Sequence, residues 1–296
     1  MKKKIEDLGF TITVMVILSI FLVTVAYPLY FIIIASFSDP GLVGSGKVLF
    51  IPKGITVAAY KKVIEYQTLW IGYRNTIFYT LFYTVLSLFM IFTAGYGLSR
   101  KRLPGRNILM GYMTFTMFFS GGLIPTYMLV RNLNLYNNPL IIIILGCVNV
   151  YNVILARTFI QSNIPDELYE AAVIEGCNHF RFLATIVIPL SPALIAVMTI
   201  FTAVAQWNSW FNALIYLREP AYMPLQLILR NIIVNVDAFL REMEFSAQAD
   251  DVGYIVNLAE GMKYAVIIVS TLPVMCLYPF IQKYFIKGVM IGSIKG

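Results

Sequence analysis

Charged residues are scarce in this sequence, and their scarcity excludes an ordinary soluble domain. Only 12% of the 296 residues are charged, whereas 59% are hydrophobic. Soluble domains carry about twice that charged fraction. The net charge of +7 could indicate nucleic-acid binding, but the chain has no basic stripe with interleaved aromatic residues. The charges lie instead between long apolar runs. This distribution predicts an all-α polytopic membrane protein.

Histidine and cysteine are too few and too scattered to build the usual chemical sites. His179 is the only histidine, which excludes a multi-histidine metal cluster. A lone histidine in a polar loop is more typical of a solvated or interfacial position than of a catalytic one. The three cysteines, Cys147, Cys177 and Cys276, show neither a disulfide framework nor metal-ligand spacing. The sequence therefore predicts no metal site and no enzyme chemistry of its own.

Apolar runs long enough to cross a membrane occur six times. No ionisable side chain lies within any of them, although ion-coupled transporters typically keep one there. A secondary, ion-coupled carrier is the alternative that this absence disfavours. A membrane-embedded enzyme is disfavoured as well, because the runs hold no evident nucleophile or metal ligand. Within a single domain, 1–296, the predicted spans are about 10–36, 75–98, 108–130, 139–156, 192–216 and 264–282.

Lys and Arg are distributed unevenly between the polar segments. If both termini lie on the same side as the loop at 157–189, that side holds 12 of the 22 Lys and Arg and 6 of the 15 acidic residues. The charge balance is then +6 on that side and +1 on the other. The positive-inside rule therefore places the termini and this loop in the cytoplasm.

Within this loop, the segment 165–192 has the pattern of two short helices joined by a glycine. Pro165 suits a first helical position, and two acidic residues follow it, where the helix dipole favours negative charge. Gly176 favours a left-handed stop, and Asn178 is a typical cap for a second helix. An Ile-Pro-Leu turn at 188–190 then leads back into an apolar run.

This pattern resembles the EAA loop of ATP-binding-cassette (ABC) importer permeases. In that family the loop is a coupling helix that docks into a groove on a cytoplasmic ATPase. Glu175 stands where the family more often has Asp, a change that keeps the negative charge. The resemblance implies that ATPase coupling falls to Glu170, Ala171, Ala172, Ile174, Glu175, Gly176, Phe182 and Pro189.

Three further stretches, 120–133, 207–214 and 284–296, resemble the carbohydrate-uptake branch of this family, related to the smaller membrane subunit of the maltose importer. The resemblance implies a type I ABC importer permease, multi-pass in a prokaryotic plasma membrane, that forms part of the pathway for an oligosaccharide. It implies a second permease, usually similar but not identical, two ATPase subunits or domains, and an external sugar-binding protein. ATP and Mg²⁺ would be bound by the partner ATPase, and this chain would carry no cofactor.

The fifth predicted span carries the candidate substrate-pathway residues. On a helical wheel its amides gather on one side and most of its aromatic rings on the other. Amides both donate and accept hydrogen bonds, as sugar hydroxyls require, and tryptophan rings can stack on a sugar. Interhelical packing is the alternative role for the same polar groups. The candidate residues are Gln206, Trp207, Asn208, Trp210 and Asn212.

Overall fold

The computed structural model describes residues 2–234 and 261–276, and all regular secondary structure in these ranges is helical. The predicted all-α class is therefore confirmed. The helices are α1 Lys2–Ser36, α2 Pro40–Gly44, α3 Ala58–Glu65, α4 Gln67–Ser99, α5 Arg106–Phe118, α6 Leu123–Asn132, α7 Leu140–Ile144, α8 Val150–Asn163, α9 Asp166–Ile174, α10 His179–Phe182, α11 Pro192–Trp207, α12 Phe211–Tyr216, α13 Leu225–Val234 and α14 Gly261–Cys276. A π-helical turn, Leu183–Val187, follows α10, and a 3₁₀ turn, Pro220–Tyr222, precedes α13.

The chain divides into two compact units. Of the described residues, the first unit contains 2–69, 229–234 and 261–272, and the second contains 70–228 and 273–276. In the first unit, the loop after α1 folds back on that helix. The Tyr30 hydroxyl donates a hydrogen bond of 2.6 Å to the Phe50 carbonyl, and the Tyr60 hydroxyl donates one of 2.8 Å to Ser36 Oγ.

Two helices are long and apolar enough to cross a membrane: Leu8–Ser36 within α1, and α4. They contain the predicted spans 10–36 and 75–98, and α1 continues through Pro28. Two bent helix pairs raise the number to four if each pair is one span. The count of six stays a prediction, because the sixth span is described only up to residue 276.

Three of the predicted spans are interrupted in the structure. The run 108–130 is split into α5 and α6, which are bent by 111°, and Gly122 between them has a φ of +87°. The run 139–156 is split near Gly146, whose φ is +81°. Such positive φ angles favour glycine, because a Cβ would clash with the backbone. The run 192–216 is split between α11 and α12.

The second unit packs α8 tightly against α4. A Cβ added at Gly95 would lie 2.9 Å from Ala156 Cβ, so the glycine allows the two helices to approach closely. Arg157 Nε donates to the Leu98 carbonyl (3.2 Å), and Gln161 Nε2 donates to the Ser99 carbonyl (3.1 Å). These bonds satisfy carbonyls that the end of α4 leaves unpaired. The loop predicted to begin at 157 is therefore still helical up to Asn163.

Candidate functional site: a two-helix loop bound to α4

The segment from α9 to the π-helical turn forms as its sequence predicts. Pro165 immediately precedes α9, one position before the predicted helical site. Gly176 ends this helix with a φ of +79°, and its N–H donates to the Val173 carbonyl (2.9 Å). Asn178 Oδ1 accepts a hydrogen bond of 2.9 Å from the Arg181 N–H and caps α10. The predicted left-handed stop and the predicted cap are both confirmed.

The inner face of this two-helix loop is apolar and packs on α4 and α8. Phe182 is fully buried, and Ala172 from α9 is buried beside it. Their neighbours in the same cluster include Tyr96 of α4 and Ile160 of α8. Since α9 and α10 are short, these tertiary contacts provide most of their stability. The loop is therefore seated on the end of α4.

Arg100, at the end of α4, binds three aromatic rings of this site. Its guanidinium carbon lies 4.7 Å from the ring centre of Tyr96, 5.4 Å from that of Tyr169 and 5.3 Å from that of Phe182. Its side chain is only 10% exposed, and Nη1 lies 3.6 Å from Asp166 Oδ1. A guanidinium over aromatic faces is attracted by their ring quadrupoles, most strongly when desolvated. Arg100 therefore connects α4, α9 and α10.

His179 joins the same three helices by hydrogen bonds. Its Nδ1 lies 2.9 Å from the Tyr96 hydroxyl and its Nε2 lies 2.9 Å from the Tyr169 hydroxyl. In a neutral imidazole one nitrogen donates and the other accepts, so both hydroxyls can be satisfied. His179 is exposed, as expected for a histidine in a polar loop. The sequence does not reveal that two tyrosine hydroxyls also meet this ring.

Two exposed ion pairs border the site. Lys101 Nζ lies 3.1 Å from Asp166 Oδ2, and Arg102 Nη2 lies 3.0 Å from Glu170 Oε1. All four side chains are substantially exposed, so each pair stabilises the fold only weakly. The cations come from the turn after α4, about 65 residues before their partners. The sequence prediction missed Arg100 and Arg102 because only tertiary packing brings them to the loop.

The predicted coupling residues divide into an inner and an outer set. Ala172 and Phe182 are buried and hold the loop in place. Ile174 is 87% exposed, although it is a large apolar residue. The outer set is exposed: Glu170, Ala171, Ile174, Glu175, Gly176 and Pro189.

The structure does not bring the candidate pathway residues onto one helical face. Since α11 ends at Trp207 and Asn208 is its C-cap, the helical-wheel arrangement predicted for this stretch is wrong. Gln206 is buried and donates to the Ile142 carbonyl (3.3 Å), whereas Asn208 is exposed and donates to the Val204 carbonyl (2.9 Å). Asn212, in α12, is half-buried.

The aromatic candidates also lie in separate environments. Trp207 is buried and makes an edge-to-face contact with Tyr73, at a centroid distance of 6.4 Å. Its indole nitrogen has no hydrogen-bond partner among the described residues. Trp210 is exposed and contacts Phe211. In the described ranges, no three His, Cys, Asp or Glu side chains come together as metal ligands would.

Comparisons with known proteins cover nearly the whole chain. No family model matches it. It is 37% identical to protein LplC of Bacillus subtilis over 269 residues, which are 91% of this chain and 89% of LplC. It is also 37% identical to the B. subtilis polygalacturonan/rhamnogalacturonan transport system permease protein YtcP, over 91% of this chain and 92% of YtcP.

A solved structure has the same fold. One chain in the crystal structure of a bacterial ABC transporter involved in the import of the acidic polysaccharide alginate superimposes with a TM-score of 0.85. The sequence identity is 34%, and the match covers 95% of this chain and 98% of that one. Identity above 30% over 89–98% of each chain shows common family membership. The chain belongs to the carbohydrate-uptake permeases of ABC importers, which are membrane transport subunits and leave ATP hydrolysis to partner subunits.

Proposed function

We propose that the loop 165–189 is the coupling element that docks on the partner ATPase, and that it moves together with α4. The observation that carries this proposal is the two-sided character of α9. Its inner face is bound to α4 through Arg100 and an apolar cluster, whereas its outer face leaves Ile174 87% exposed. An exposed apolar residue rimmed by carboxylates suits a groove on another protein. Closure of the ATPases would displace α9, and Arg100 would transmit that displacement to a membrane-spanning helix.

The proposed assembly has a second, non-identical permease, two ATPase subunits that bind ATP and Mg²⁺, and an external sugar-binding protein. Both termini and the loop 157–189 would face the cytoplasm. The excess of Lys and Arg on that side supports this orientation, because positive charge is retained in cytoplasmic loops. The presence of these partner subunits is supported by the chain's membership of the ABC importer permease family.

We infer that the substrate is an acidic oligosaccharide. One relative is named for polygalacturonan and rhamnogalacturonan, and the transporter of the solved structure imports an acidic polysaccharide. Both classes of glycan contain uronate carboxylates. We therefore expect this chain to line part of a transport pathway for uronate-containing oligosaccharides.

The coupling role is tested at Gly176 and Glu170. A Cβ at Gly176 would meet no atom within 4 Å, so the effect of a substitution there arises from the backbone φ of +79°. Gly176→Val costs about 1–2 kcal/mol in that conformation, whereas Gly176→Asn is the matched control because Asn tolerates it. We expect Gly176→Val and Glu170→Lys to insert and assemble normally but to abolish sugar uptake, with Gly176→Asn retaining most of it. Uptake at the normal rate in the Val or Lys variant would refute docking through this loop.

The pathway role is tested at Asn208 and Asn212. Asn208 is exposed, and within 2–234 and 261–276 its side chain bonds only its own helix. Asn208→Ala should therefore leave the packing between helices intact. We expect each Ala substitution, and more strongly the pair, to impair uptake of uronate-containing oligosaccharides while assembly and basal ATPase activity are kept. Gln206→Ala is the contrasting variant, because it removes the bond to Ile142 and should weaken assembly. Unchanged uptake in the double variant would remove both asparagines from the pathway.

A further inference from the structure

A polar cavity lies where the end of α4, the start of α5, the end of α8 and the start of α9 meet. Its volume is about 520 Å³, and the first two residues of α9 are part of its lining. Four of its lining residues are cations: Arg100, Lys101, Arg106 and Arg157. Two are carboxylates, Asp166 and Glu167. The lining therefore carries an excess of two positive charges.

The carboxylates do not neutralise all of these cations. Asp166 pairs with Arg100 and Lys101. Arg157 Nε donates to the Leu98 carbonyl, and neither Arg157 nor Arg106 has a carboxylate within 4 Å in the described part of the chain. Arg106 Nη1 is also buried without a hydrogen-bond partner among the described residues. A guanidinium donor left unbonded in a cavity indicates a missing acceptor.

A second, smaller cavity of about 300 Å³ adjoins the first, since Lys101 and Arg106 line both. It opens beside Ile108, which is 78% exposed. Most of α5 continues in this way, because none of its residues is buried and Leu109, Tyr112, Phe115 and Phe118 are exposed. Met110 and Met113, on its other side, pack against a hydrophobic cluster. The cations that line the two cavities thus lie next to the exposed apolar face of α5.

This combination matches one ligand, a phospholipid with a net negative charge. Basic pockets between membrane helices on the cytoplasmic side bind anionic lipid headgroups. A free phosphate would use the cations and ignore α5, whereas a phospholipid would place its phosphate on Lys101 and Arg106 and its acyl chains along α5. The apolar face therefore favours the lipid.

We propose that Lys101 and Arg106, supported by Arg157, form a binding site for the phosphate of an anionic phospholipid in the cytoplasmic leaflet. The assignment of the leaflet rests on the orientation given under Proposed function. Asp166 lines the cavity and is the first residue of α9, so the bound lipid contacts the base of the loop that meets the ATPase.

The test measures binding of fluorescent phosphatidylglycerol to the assembled transporter in phosphatidylcholine nanodiscs, without nucleotide. The variants are Lys101→Gln, Arg106→Gln and the pair. The matched control pair is Arg102→Gln with Arg181→Gln, two exposed cations on the same proposed cytoplasmic side that line neither cavity. Each cation near a membrane surface contributes about fivefold to binding of anionic lipid. We expect about fivefold weaker binding in each single variant and on the order of 20-fold weaker binding in the pair, with the control pair close to wild type.

Three outcomes would overturn the site. Equal losses in the control pair would mean a diffuse surface charge effect, and displacement of the lipid by millimolar inorganic phosphate would assign the cavity to a soluble anion. Unchanged binding in the Lys101/Arg106 pair would leave no site at all. Because Lys101 is 79% exposed, its single substitution keeps the fold and guards against a folding artefact. Normal uptake by Gly176→Val would refute the coupling role without changing this lipid measurement, so the two failures are distinguishable.

Discussion

Replacing Arg100 should loosen α9 from α4 and uncouple ATP hydrolysis from transport. Arg100→Met keeps the length of the side chain but removes the guanidinium from the three rings that it contacts at 4.7–5.4 Å. Each cation–π contact contributes about 0.5–1 kcal/mol, and more when desolvated. Their joint loss therefore amounts to about 1.5–3 kcal/mol, or about a 10- to 150-fold increase in local opening of α9. Asp166 keeps its pair with Lys101, so the ionic contribution to this change is small.

Hydrogen exchange of the α9 amides, measured by mass spectrometry on the assembled transporter, reports this opening directly. Sugar transported per ATP hydrolysed is measured on the same preparation and should fall. Arg102→Met is the matched control, because its pair with Glu170 is exposed and contributes about 0.2–1 kcal/mol. We expect its α9 exchange to rise less than about fivefold.

A third variant separates charge from shape. Arg100→Lys keeps the positive charge but loses the planar group that stacks on rings, so it should resemble Arg100→Met more than wild type. Wild-type exchange and wild-type coupling in Arg100→Met would refute the role of Arg100 as the connection between α9 and α4. Equal opening in the Arg100 and Arg102 variants would show that general charge loss, not the aromatic contacts, controls the loop.

Two further predictions concern topology and packing. Single cysteines at Lys101 and Asp250, in a cysteine-free background, should react with impermeant reagents from opposite sides of the membrane; Asp250 lies outside the described residues, and labelling from the same side would contradict the six-span topology. Gly95→Ala should lower the free energy of unfolding by about 1–3 kcal/mol, because its Cβ would lie 2.9 Å from Ala156 Cβ, and the thermal unfolding of the transporter measures this loss. Gly97→Ala, which meets no atom within 4 Å, should be neutral or raise stability by about 0.5–1 kcal/mol; equal shifts in both variants would exclude close packing at Gly95.

The turns of the loop 165–189 were predictable from sequence because they depend on residues that are adjacent along the chain. The left-handed φ at Gly176 and the cap at Asn178 each follow from the chemistry of one residue type, and both are present. The hydrogen bonds of His179 were not predictable, for the opposite reason. Its two hydroxyl partners, Tyr96 and Tyr169, lie 83 and 10 positions away along the chain. A local sequence pattern does not predict contacts between residues so far apart.

The sequence by itself determined the membrane class, the long helices α1 and α4, and the two-helix loop, since apolar content and local turn chemistry are properties of short stretches. Only the tertiary structure decided where the other spans break and what holds the loop. A hydropathy window averages over about 19 residues, so it does not detect a single left-handed glycine such as Gly122. The binding of Arg100 to Tyr169 and Phe182 joins residues about 70–80 positions apart, and only the packing of α8 and α9 against α4 brings them together.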